Sequence, residues 1–203
     1  MLLKLIKLIQ LNKQKLKVGI SVGDPNGIGI EVILKSFQNP EMLKLFIPVI
    51  FANIEIIEYQ MRHFNINLEL NSIQTIKKIC NDRVNVFNHP MDNFKHTFGE
   101  STTQGGRVAL NSLLASTKAL KSGEVEALVT GPINKKNILS EKFNFVGHTE
   151  FLSDCFSSKS LMFMIGKNLK IGLLTDHIPI DEVSSSVTKK TLREKILKMI
   201  RSM

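Results

Sequence analysis

Val18-Gly19-Ile20-Ser21-Val22-Gly23-Asp24-Pro25-Asn26-Gly27-Ile28-Gly29 is the stretch from which the fold is read. Val18 to Val22 is a short β-rich run, and it stops at a Gly-Asp-Pro turn. Beyond Gly29 the apolar residues Ile30, Ile33, Leu34 and Phe37 take up helical spacing. The order is therefore strand, glycine loop, helix. Loops of this kind can aim backbone N–H groups and a helix N-terminus at an anion. The stretch is not a P-loop, because no Gly-Lys-Ser/Thr follows. It is not G-x-G-x-x-G, because Val32 occupies the third glycine position. A tight turn made by Gly and Pro is the other reading, and it leaves Asp24 unexplained.

The same alternation continues along the chain. Ile47 to Phe51 reads as a buried strand, and Ile54, Ile57, Met61 and Phe64 follow at helical spacing. Ile66–Leu70 and Val84–Phe87 are expected as short strands, and Phe94 to Gly106 as a polar, glycine-containing surface loop. Arg107 to Lys121 reads as a helix, with Gly123 as its stop. Val125 to Val129 is the next strand, running into Thr130-Gly131-Pro132, and Ile133 to Lys136 is expected to start a helix. Leu161–Ile165 and Leu169–Leu174 read as two further strands. From Thr188 onward Leu192, Ile196, Met199 and Ile200 line one face of a final helix. Strands alternating with helices imply an α/β fold with a mostly parallel sheet. Ligands of such folds bind beyond the carboxyl ends of strands. Asp24, Pro132 to Lys135 and His177 each follow an expected strand, which groups them around one pocket.

Composition bounds the function. The 203 residues are 43% hydrophobic and 22% charged, an ordinary globular mixture. No apolar run approaches the ~20 residues of a membrane span. The two cysteines, Cys80 and Cys155, make no disulfide framework or C-x-x-C motif, so a cytoplasmic location is expected. The net charge of +9 favours anionic partners, yet the lysines are spread along the whole chain. Aromatic residues are only 6%, with no Trp and one Tyr. A nucleic-acid partner, which wants a clustered basic face and stacking rings, is not expected, and neither is a membrane. Residues 1–17 read as a basic apolar extension ahead of a body that begins at residue 18.

The other unusual stretch is Phe145-Val146-Gly147-His148-Thr149-Glu150-Phe151. It sets an imidazole, a hydroxyl and a carboxylate between apolar residues. His148 and Thr149 suit a polar, anionic ligand. The same residues also fit a helix start in which Thr149 is the cap, and residue chemistry alone leaves both readings open. Lys135 stands where it can meet a phosphate or carboxylate, or be a solvated lysine. His177, between Asp176 and a Pro-containing turn, can be a metal ligand or a general base, but one histidine does not make a metal site. His63, His89 and His96 read as solvated surface histidines.

Four motifs together resemble the 4-hydroxythreonine-4-phosphate dehydrogenase family of pyridoxal phosphate biosynthesis. They are Val22 to Glu31 (Val-Gly-Asp-Pro-Asn-Gly-Ile-Gly-Ile-Glu), Thr130 to Lys135, Gly147 to Phe151, and Thr175 to Pro179. The resemblance implies a three-layer α/β/α fold like that of isocitrate and isopropylmalate dehydrogenases, incomplete here at its C-terminal side, and a homodimer. It implies oxidation of 4-phosphooxy-L-threonine with NAD or NADP, then decarboxylation to 3-amino-2-oxopropyl phosphate. A divalent metal (zinc, magnesium or cobalt) held by three histidines would polarise the reacting oxygen. On this resemblance His148 and Thr149 are substrate-binding residues and His177 the first metal histidine, and Lys135 and Asp24 belong to the pocket. The resemblance names no catalytic residue here. The family's Asn-Pro-His-Ala-Gly-Glu and His-Asp-Gln-Gly motifs are absent from residues 18–203, and its cofactor site is expected beyond Met203. The expectations are therefore a piece or split subunit of this dehydrogenase, inactive alone. A non-catalytic remnant and a dehydrogenase of another phosphorylated hydroxy acid are the alternatives.

Overall fold

The computed structural model describes residues 15–90, 94–139 and 143–202. They divide into two compact units, one running to Phe156 and the other from Ser157 onward.

The first unit is built on β1 (Leu16–Ser21), β2 (Phe46–Ala52), β3 (Leu70–Ile73), β4 (Val84–Asn88) and β5 (Ala127–Thr130). All four pairings are parallel, and the order across the sheet is β3-β4-β2-β1-β5. β1 begins two residues earlier than expected, because Leu16 and Lys17 are in register with Phe46 and Ile47 of β2. The rest of the expected extension lies almost wholly outside the described residues.

The helices of this unit are α1 (Gly29–Ser36), α2 (Met42–Leu45), α3 (Ile54–His63), α4 (Thr103–Lys121) and α5 (His148–Cys155). Period-two alternation along β2 sorts them into layers. Ile50 and Ala52 join Ile30 and Leu34 of α1 and Ile56 and Ile57 of α3 in one apolar cluster. Val49 and Phe51 join Ala119 of α4 and Val125 in another. Helices thus cover both faces of the sheet, giving the expected three layers. Asn53 caps α3 by accepting from the N–H groups of Glu55 and Ile56.

Three expectations are corrected here. The Ile66–Leu70 strand is displaced to Leu70–Ile73. Ile66 is buried, but its N–H bonds back to Met61 at the exit of α3, where Asn65 turns left-handed (φ 52°). It anchors a helix end and stands outside the ladder. Residues 103–106 are not loop, because α4 starts at Thr103 with Thr102 as its cap. The glycines in its first turn answer a packing need. A Cβ on Gly105 would stand 2.8 Å from Asp24 Oδ1, and one on Gly106 would strike the carbonyl of Asn137. Ile133–Lys136 starts no helix, because Asn134 Oδ1 accepts from the N–H groups of Lys136 and Asn137 and holds a turn.

The second unit contains β6 (Phe163–Ile165), β7 (Lys170–Gly172), α6 (Ile180–Ser186) and α7 (Lys189–Ser202). β6 and β7 pair antiparallel as a separate two-stranded hairpin, so they do not extend the parallel sheet. None of the described residues of this unit is fully buried. No described helix of the chain is long and apolar enough to cross a membrane.

Candidate functional site

Three of the four motif stretches meet in the first unit. The loop after β1 and the loop after β5 lie backbone against backbone: Asp24 N–H donates to the Pro132 carbonyl (3.0 Å) and Gly131 N–H to that of Ser21 (2.7 Å). Gly23 sits at φ 71°, and a side chain there would run into the Pro132 carbonyl.

Asp24 is buried, and both its carboxylate oxygens are engaged within the chain. Oδ1 accepts from Asn26 N–H (3.0 Å), and Oδ2 accepts from Asn137 Nδ2 (2.8 Å). Asn26 is likewise spent. Its Nδ2 donates to Thr102 Oγ1 and its Oδ1 accepts from Thr97 N–H, both at 3.0 Å. The N–H groups of Asp24, Asn26 and Gly27 all have partners inside the loop or on Pro132. This glycine loop is therefore a clasp with few donors to spare for an anion. It walls an open cleft of about 370 Å³, shared with Glu100, Ser101 and Asn134. Two carboxylates, Asp24 and Glu100, line that cleft and disfavour a phosphate against this wall.

A different set of polar groups gathers at the other end of the 130–138 loop. α5 begins at His148, with Gly147 as its N-cap and no side chain capping it. Thr149 therefore lies within the first turn and is not the cap, which removes the capping reading of this stretch. The first N–H groups of a helix have no intrahelical partner, and the helix dipole makes that end partly positive. His148 Nε2 is buried and has no hydrogen-bond partner among the described residues. Lys135 is exposed, and its Cε lies 3.9 Å from where a Cβ on Gly147 would stand. Burial pushes the His148 imidazole below its ordinary pKa, and the Lys135 ammonium adds to the effect. An imidazole beside a lysine and an uncapped helix N-terminus is a set of groups chemically suited to a phosphate or carboxylate.

Apolar packing holds this end in place. Phe143, Phe145 and Phe151 form a three-ring cluster with centroids 5.4–5.5 Å apart. Buried Phe143 and Phe151 join Ile138 against Leu110 and Leu113 of α4. The packing fixes both the loop that carries Lys135 and the helix that carries His148.

His177 belongs to the second unit. It is exposed, and it adopts a left-handed backbone (φ 55°) five residues after β7. It follows the antiparallel hairpin, so the strand-end argument that grouped it with Asp24 does not apply to it. Among the described residues no group of three or more His, Cys, Asp or Glu side chains is placed to hold a metal ion. His177 can supply one ligand, and one imidazole does not meet the needs of a divalent cation.

Two histidines depart from the surface reading. His89 Nε2 and His96 Nδ1 are each buried without a partner among the described residues, and burial lowers the pKa of both side chains. His96 lies in a group of rings with Tyr59, His63, Phe94 and Phe98. Those residues come from α3 and from a loop more than thirty positions away, so no local pattern announces the group.

Comparison with known proteins bears on the family and the fold. The family model described as pyridoxal phosphate biosynthetic protein PdxA matches residues 44–203. A 4-hydroxythreonine-4-phosphate dehydrogenase from Bacteroides thetaiotaomicron is 33% identical over 92% of this chain and 52% of the relative. A Clostridium botulinum (strain Hall) relative, provisionally named as a D-threonate 4-phosphate dehydrogenase, is 29% identical over 89% of this chain and 55% of its own length. The chain spans about half the length of the curated relatives it matches. The crystal structure of a 4-hydroxythreonine-4-phosphate dehydrogenase from Burkholderia phymatum shares the fold, with a TM-score of 0.81 at 19% identity over 90% of this chain and 56% of that one. On the match of the family model over most of its length, the chain belongs to the pyridoxal phosphate biosynthetic protein PdxA family.

Proposed function

We propose that this chain supplies the substrate-phosphate side of a 4-hydroxythreonine-4-phosphate dehydrogenase. The complete enzyme would oxidise 4-phosphooxy-L-threonine with NAD or NADP and then release carbon dioxide. The observation that carries this reading is the uncapped N-terminus of α5, with the unpartnered Nε2 of His148 and the Lys135 ammonium beside it. In this reading His148 donates to a phosphate oxygen, Lys135 supplies charge, and Thr149 adds a hydroxyl from the same turn. Asp24 serves the site indirectly, by clasping the loop that carries Lys135. His177 would contribute one metal ligand, and a complete metal centre would add Lewis-acid polarisation of the reacting hydroxyl. The nicotinamide site and the remaining metal ligands belong to the part of the family's length that this chain does not span. A homodimer, a cytoplasmic location and the lack of a nucleic-acid or membrane partner are part of the same proposal.

The names of relatives such as the Clostridium botulinum protein support a second substrate, D-threonate 4-phosphate. It presents the same phosphate to His148 and Lys135 and differs at the far end of the molecule. Calorimetric titration of the purified chain with each compound separates the two. His148→Ala should weaken binding of the preferred compound about tenfold, the loss of one charge-assisted hydrogen bond. Equal affinity in wild type and His148→Ala would refute the assignment. The chain by itself should reduce no NAD or NADP with either compound plus a divalent metal. Turnover under those conditions would overturn the partition of the site between this chain and the rest of the family's length.

A further inference from the structure

A second pocket lies between α3 and residues 94–96. It encloses about 520 Å³ and is lined by Glu55, Tyr59, Arg62, Phe94, Lys95 and His96 among others. Its volume falls within the range of small-ligand sites, roughly 300–1,000 Å³.

The lining has two chemical parts. One is a set of parallel rings. Tyr59 and His96 stack at 3.9 Å with planes 14° apart, and Phe98, outside the lining, lies 5.7 Å from His96 with the same tilt. Phe94 meets His96 edge-on at 4.9 Å. Tyr59 is nonetheless 42% exposed, so part of its ring is open to a further planar partner. The other part is charge: Arg62 and Lys95 are exposed cations at the rim, against the single carboxylate of Glu55. His96 Nδ1 is buried without a partner among the described residues.

We propose that this pocket binds a nucleoside monophosphate. The rings accept a planar base by stacking, because every base offers a π-face. Arg62 and Lys95 take the phosphate, and Arg62 offers the planar fork that suits it. Glu55, unsuited to the phosphate, suits the ribose hydroxyls as an acceptor. The His96 ring, stacked under Tyr59, backs the platform on which the base would lie. A plain aromatic acid would leave Glu55 unused, and an aliphatic phosphate would leave the rings unused. The site is separate from the His148 receptor. It is nonetheless joined to the clasp, because Gln60 Nε2 of α3 donates to the Pro25 carbonyl (2.7 Å) and Thr97 N–H donates to Asn26.

The chain carries its own probe. It has one tyrosine and no tryptophan, so its tyrosine emission reports Tyr59 alone. Titration with AMP should give a saturable change in that emission. An Arg62→Ala, Lys95→Ala double variant, in which both altered side chains are exposed, should weaken the response at least tenfold with an unchanged circular dichroism spectrum. His148→Ala should leave it intact. Adenosine or inorganic phosphate alone should each bind at least tenfold more weakly than AMP. No saturable change with AMP overturns the proposal, as does wild-type affinity in the double variant. Adenosine binding as tightly as AMP removes the phosphate half, phosphate binding as tightly removes the ring half, and loss of the response in His148→Ala places the ligand at the other site.

Discussion

Asp24 stands in the first motif, and its structure separates two roles that sequence alone cannot. A ligand-binding carboxylate would face the cleft with a free oxygen. Here Oδ1 accepts from Asn26 N–H and Oδ2 from Asn137 Nδ2, in a residue only 7% exposed. Asp24→Ala removes both acceptors and leaves two buried donors without partners. Hydrogen bonds to a charged group contribute about 1.5–3 kcal/mol each, so the loss should be about 3 kcal/mol. Asp24→Asn keeps an acceptor for Asn26 N–H but presents an amide donor to Asn137 Nδ2. Asn137 Oδ1 has no partner among the described residues, so a rotation of the Asn137 amide restores that second bond. The cost of Asp24→Asn should therefore be about 1 kcal/mol, mainly the lost charge assistance. For a domain of this size 1 kcal/mol moves the melting temperature by about 2–4 °C. Thermal unfolding followed by circular dichroism should place Asp24→Ala about 6–12 °C below wild type and Asp24→Asn within about 4 °C of it. If the two variants melt together, or if Asp24→Ala is neutral, the clasp is not what holds the loops.

Glycine substitutions test the same contact from the backbone side. A Cβ on Gly131 would stand 2.5 Å from the Val22 carbonyl, so Gly131→Ala should cost more than about 2 kcal/mol in urea unfolding, whereas Gly123→Ala, with nothing within 4 Å and only its φ of 74° to strain it, should cost about 1 kcal/mol. Acid should destabilise the fold before its carboxylates titrate. Burial lowers the folded-state pKa of His89, His96 and His148, so the unfolded chain binds more protons just below pH 6.5 and stability falls as pH drops through that window. The urea midpoint at pH 7.5 should exceed that at pH 5.5, and a flat profile between them would refute the histidine account.

Much of the sheet is legible in the sequence because its inner strands are short, mostly apolar runs rich in Val and Ile. Val18 to Val22 and Ile47 to Phe51 are such runs, and they overlap the adjacent strands β1 and β2. Ile66 misleads, because a residue anchoring a helix exit is as buried as one in a ladder. Gly105 and Gly106 mislead in the opposite sense: glycine reads as loop, but here it admits Asp24 and Asn137 against a helix. The hairpin of β6 and β7 was legible as two strands and not as antiparallel, since three-residue strands carry no period that reveals direction. In the candidate site His148 and Thr149 were visible by residue type. Whether Thr149 caps the helix could be decided only from the position of Gly147. The ring group around Tyr59 had no signal at all, because its members meet only after α3 and the 94–98 segment are packed.

The pairing of β1 with β5 carries a consequence for the order of folding. β1 to β4 lie within the first 88 residues and can pair as soon as that length is available. β5 joins β1 only across a separation of 109 residues, as in the contact between Lys17 and Glu126. Such long-range parallel pairings are slow to form, because loop closure precedes their reward. The clasp of Asp24 with Pro132 and Asn137 depends on this last pairing. A nascent chain should therefore pass through a four-stranded intermediate whose sheet is already ordered and whose ligand loops are not. For that interval the protein would be folded and unable to bind.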